Sequence, residues 1–198
     1  MATSSRNGHI RKLTALEGLL QEFPQDAKFQ GDLAMIQGNR GWLLTQQKRW
    51  KDARPELEKA VALAELALKP NPADPTARET LRGAYRDLTN ACLNLGDHVE
   101  AAHHAHRFAD AYKKTREDYY LAAANVARCI PLARKDATLN EKDRDSTAQR
   151  YGEQCLELLR QAIAKGYANA KQIGGNTAFD PLRSHAEFQR LVKLLGPP

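Results

Sequence analysis

Three segments of this chain open with a small residue in a matching place: Ala53–Ala60 (ARPELEKA), Ala101–Phe108 (AAHHAHRF) and Cys155–Ala162 (CLELLRQA). Their starts lie 48 and 54 positions apart (101 − 53, 155 − 101). Upstream of each stands a second matching piece: Asn39–Leu44 (NRGWLL), Asp87–Cys92 (DLTNAC) and Leu121–Val126 (LAAANV). These put Gly41, Thr89 and Ala123 in a small position of their own, followed three places on by Leu44, Cys92 and Val126. Twelve positions separate Gly41 from Ala53 (53 − 41) and Thr89 from Ala101 (101 − 89). Helices approach closely only where a facing side chain is small. A recurring small-to-small spacing therefore points to helical hairpins in series, each too small to bury its apolar face alone.

The local signals agree. Hydrophobic residues make up 42% of the chain, aromatics only 7%, and Ala and Leu dominate the apolar set. That bias favours helix, because Ala and Leu lose little on entering one, and no useful strand-like alternation interrupts it. The periodicity predicts helices over Ile10–Phe23 (Leu13, Leu16, Leu19 and Leu20 on one face), Asp26–Gln47 (anchored by Leu33, Ile36, Leu43 and Leu44) and Asp52–Leu68. In the last of these Asp52 is the expected N-cap, which puts Pro55 in the first turn. Asp74 and Pro75 read as N-cap and first residue of a helix ending near Leu95, with Gly96 supplying its left-handed stop. Further helices are expected over His98–Tyr112, Asp118–Arg134, with a kink or early end at Pro131, and Thr147–Lys165. The polar run KDATLNEKDRDST reads as a loop of roughly ten residues around Asp136–Asp145. Two short amphipathic pieces follow the Gly174–Gly175 break.

This pattern resembles the tetratricopeptide repeat, with Gly41, Ala53 and Ala60 in its three small positions. The period of about 48 exceeds the usual ~34, and Gln37 stands where a bulky residue is usual. The pieces LLRQAIAKGY (Leu158–Tyr167) and DPLRSHAEFQRLVKLL (Asp180–Leu195) are similar to the C-terminal repeat region of large bacterial serine/threonine kinases. No kinase motif accompanies them. The resemblance implies an all-α fold: one domain over residues 1–198, a right-handed α-solenoid of about three irregular hairpins. Its units would be a half-repeat or cap at 10–24, hairpins at 26–69, 74–115 and 117–166, and a cap at 167–196. It also implies a concave face lined by the first helices. Some members hold a carboxylate there with basic and Asn side chains, at places occupied here by Arg86 and Asn90, which share a helix face. The other units carry Gly38 and Trp42, then Tyr120 and Ala124, so a full carboxylate clamp is absent.

The expected function is non-catalytic: a protein-interaction or scaffold module, cytoplasmic and kinase-associated. It would bind a peptide with apolar and acidic groups through Trp42, Arg86, Asn90, Tyr120 and Arg128. Trp42 would otherwise be a core residue. One alternative is self-association through an open repeat end. Another is nucleic-acid binding by Lys48, Arg49, Lys51 and Arg54, with Lys113, Lys114 and Arg116, given a net charge of +6. Neither a catalytic residue nor a cofactor is expected. His98, His103, His104 and His106 read as a solvated face and not as a metal site. Cys92, Cys129 and Cys155 fall in apolar patterns, as packing residues of a reducing compartment. The N-terminus shows no secretory h-region, and no run approaches a membrane span.

Overall fold

A computed structural model describes residues 18–19, 21–111 and 114–196. Among them the chain is all-helical, with no strand. The elements are α1 (Ala27–Gln46), α2 (Trp50–Ala67), α3 (Pro75–Leu95), α4 (His98–Ala111), α5 (Arg116–Arg134), α6 (Glu141–Ala164), α7 (Ala170–Gly175), a 3-10 turn (Thr177–Leu182) and α8 (Ala186–Leu194). The expected helix over Ile10–Phe23 lies mostly outside the described residues, as does the expected end of α4 at Tyr112. No described helix is long and apolar enough to cross a membrane. The chain forms two compact units, one up to Leu88 and one from Thr89.

In the first unit, Asp26 caps α1, accepting from the amides of Lys28 and Phe29 at 2.9 and 3.0 Å. The helix packs on α2 through its smallest residues. A Cβ added at Gly31 or Gly38 would lie 3.8 Å from the Cβ of Ala67 or Ala60, and one at Gly41 would lie 2.5 Å from the Leu57 side chain. Ala53, Leu57, Ala60 and Ala64 are fully buried on the facing side. The small positions read from the sequence are thus places of close helix approach. The expected anchors are not all core: Leu33 is buried, but Leu43 is 51% exposed. The stripe that meets α2 runs through Gln30, Leu33, Ala34, Gln37, Gly41 and Thr45, because close contact selects small side chains over large ones.

Asp52 is not the cap of α2. Lys48 adopts a left-handed φ of 58°, which turns the chain sharply enough for the helix to start at Trp50. Asp52 sits inside the first turn and pairs with Arg49 at 2.8 Å. Pro55 consequently falls beyond the first turn. Asp74 caps α3 as expected, accepting from the Ala77 amide at 2.7 Å, and the Tyr85 hydroxyl donates to Glu65 at 2.7 Å.

In the second unit, α5 packs on both α4 and α6 and also meets the 3-10 turn. Its core holds Phe108, Val126, Ile130, Leu159, Ile173 and Phe179. Gly96 ends α3 at φ 81°, with the Asp97 amide donating to the Cys92 carbonyl at 3.0 Å. Thr115 caps α5, which starts at Arg116, two residues before the expected Asp118. The Thr115 hydroxyl accepts from the Asp118 amide and the Asp118 carboxylate accepts from the Thr115 amide, a reciprocal capping box. Pro131 does not end α5, which continues to Arg134. The ten-residue loop is shorter than expected. Asn140 accepts from the Asp143 amide at 2.9 Å, and α6 begins at Glu141 with Glu141 and Asp143 in its first turn. Carboxylates there complement the helix dipole, so polar composition hid a helix start.

A candidate partner-binding groove

Within the first unit, α1 and α3 leave a groove of about 430 Å³ between them. On α1 it is lined by Met35, Gly38, Asn39 and Trp42, and on α3 by Glu79, Thr80, Gly83, Ala84, Arg86 and Asp87. Each set follows helical spacing, so each is one stripe of its helix. The α1 stripe is distinct from the Gln37 and Gly41 stripe that meets α2.

Trp42 is 46% exposed and Met35 38%. Trp42 is therefore a wall of the groove and not a core residue. Of the two lining glycines, Gly38 lies against Ala60 of α2 and Gly83 enlarges the space. A Cβ at Gly83 would meet nothing within 4 Å, although glycine inside a helix costs about 1 kcal/mol relative to alanine.

The polar wall is more constrained than its composition suggests. Arg86 turns its guanidinium onto its neighbour Asp87 with two contacts, Nε to Oδ1 at 2.9 Å and Nη2 to Oδ2 at 3.0 Å. The hydrogen bond that Arg86 donates to Asp87 raises the Arg86 pKa, opposed by partial burial. Glu79 makes a single 3.3 Å contact with Arg82 and is 58% exposed.

The groove brings together two of the five expected binding residues, Trp42 and Arg86. The side chain of Asn90 accepts from Asn94 Nδ2 at 3.2 Å, and Asn90 lines none of this groove. Tyr120, in the second unit, is only 4% exposed. It stacks on Tyr167 with centroids 4.5 Å apart, and its hydroxyl accepts from Asn176 Nδ2 at 2.8 Å. It fastens the C-terminal turns to α5 and presents little surface to a partner. Arg128 is exposed and contacts Asn125 at 3.4 Å.

The histidines divide. His103 is exposed, but His98 is not part of a solvated face: it is 3% exposed. Its Nδ1 lies 2.9 Å from the Tyr151 hydroxyl and its Nε2 3.0 Å from Asp136. The sequence carried no signal for this contact, since the partners lie 53 and 38 positions away. All three cysteines are buried thiols outside any disulfide. Burial pushes the Cys129 thiol up to about 12 and raises that of Cys155 as well, and a thiol so held supplies little thiolate. Compared with protein-family models and with curated proteins, this chain matches none.

Proposed function

We propose that this chain is a non-catalytic interaction module that seats a peptide segment of a protein partner in the groove between α1 and α3. The observation that carries this reading is Trp42, an indole left nearly half exposed beside Met35 and an open Gly83. Large aromatic side chains in such settings anchor partners. A tetratricopeptide-like solenoid of about three hairpins, serving as the appendage of a bacterial signalling kinase, belongs to the same proposal. It is supported by the close approach of α1 and α2 at Gly31, Gly38 and Gly41 and by the sequence resemblance.

The test is capture of partners from a native lysate by the wild-type chain, Trp42→Ala and Gly83→Leu, after circular dichroism shows that all three keep their helix content. Trp42→Ala removes the anchor, and Gly83→Leu fills the groove without removing anything. A partner lost by both variants supports the reading. A partner held equally by all three moves the interaction away from this groove and sinks the proposal.

A further inference from the structure

We propose that the groove selects a partner segment presenting an arginine or lysine among apolar residues, and not an acidic one. This rests on the interaction reading above and names the chemistry of its occupant. The groove's own cation, Arg86, is closed onto Asp87 by both arms of its fork. Bidentate pairs of this kind are the strong ones. An incoming carboxylate would have to displace Asp87 to reach the guanidinium, and Asp87 is one residue away on the same helix. On α1, Arg40 is drawn to Glu56 at 3.4 Å and lines none of the groove.

What remains open on the walls attracts the opposite charge. Glu79 is well exposed and pairs with Arg82 through Oε1 alone, at 3.3 Å, which leaves its second oxygen open to a further cation. Trp42 offers an indole face, the best aromatic partner for a guanidinium or ammonium. Asn39 and Thr80 add side-chain acceptors. A cationic side chain entering here would meet an aromatic face, a carboxylate and the Asp87 side of a neutralised pair. Met35 and the open space at Gly83 would take the apolar neighbours of that residue.

The experiment uses the full chain, ¹⁵N-labelled, and two short blocked peptides of identical leucine and alanine content, one carrying arginines and the other glutamates. The Trp42 indole N–H and the Gly83 amide are the reporters. The arginine peptide should shift both signals and bind about tenfold more tightly than the glutamate peptide, the scale of one charge-assisted contact. Glu79→Gln should remove most of that difference. Asp87→Asn breaks the fork and should release Arg86, turning the preference toward the glutamate peptide. Equal or tighter binding of the glutamate peptide to the wild-type groove overturns the proposal while leaving the groove as a docking site. Silence of both reporters toward both peptides overturns the proposal and the groove together.

Discussion

Gly41 and Gly83 have the same sequence signature, a glycine inside an Ala- and Leu-rich helix, and opposite surroundings. A Cβ at Gly41 would enter the Leu57 side chain at 2.5 Å, and Leu57 is fully buried with no solvent to retreat into. A Cβ at Gly83 would meet open space. Gly83→Ala should therefore stabilise the chain by about 0.5–1 kcal/mol through helix propensity. Gly41→Ala should destabilise it, because overpacking a closed contact costs typically 1–3 kcal/mol and outweighs the same propensity gain. Urea midpoints of the two variants check this, and a stabilised Gly41→Ala would contradict the close approach of α1 and α2. The small character of position 41 was legible from its repetition in the chain. The openness at Gly83 was not, because only the partner helix decides what a glycine faces. Gln37 marks the same limit: it reads as polar, yet it is 4% exposed with its Oε1 buried and without a hydrogen-bond partner. Its place in the α2-facing stripe overrides its polarity.

At the scale of elements, the helices were legible and their ends less so. Periodicity and proline breaks placed the bodies of α1 to α6. The start of α2 was misplaced because it follows the left-handed turn at Lys48 and has no side-chain cap, and those of α5 and α6 because each depends on side chain to backbone geometry that several nearby polar residues could satisfy. Thr115 competes with Asp118, and Asn140 competes with the carboxylates after it. The turn from Lys135 to Asn140 joins a local Asx turn at Asp136 to one contact, from His98, that no local pattern encodes. The hydroxyl and amide of Thr138, with His98 Nε2, meet the Asp136 carboxylate and hold its pKa down at about 2. An unfolded aspartate titrates near 3.9. With the folded value depressed, the stabilisation is present above about 4 and is lost as pH falls toward 2. Stability measured by denaturant across that window should fall less steeply in Asp136→Asn than in wild type. Equal slopes would show that the carboxylate contributes nothing to the fold.

At the scale of the whole molecule, the net charge of +6 invites a polyanion, and the placement of the charges argues against one. Four of the basic residues conspicuous in the sequence stand beside a carboxylate. Arg49 pairs with Asp52 at 2.8 Å, and Arg54 with Glu58 at 2.7 Å. Lys114 pairs with Asp110 at 3.2 Å, and Arg116 with Glu117 at 2.6 Å while donating also to the Gly166 carbonyl. Exposed pairs of this kind add little stability, but each sets a carboxylate beside the cation that a phosphate would need. Counterion release, the source of non-specific affinity, scales with the number of phosphates neutralised. A surface whose cations already carry carboxylate neighbours neutralises few. Retention of a duplex DNA oligomer should accordingly be weak at low salt and vanish by about 0.15 M ionic strength, where the Debye length is about 8 Å. Gly83→Leu should not change it, since the groove takes no part. Fluorescence anisotropy of the labelled duplex across a salt series is the check. Tight binding that survives at 0.15 M would mean that these pairs open for phosphate, and the chain would then have to be read as a nucleic-acid-binding helical repeat.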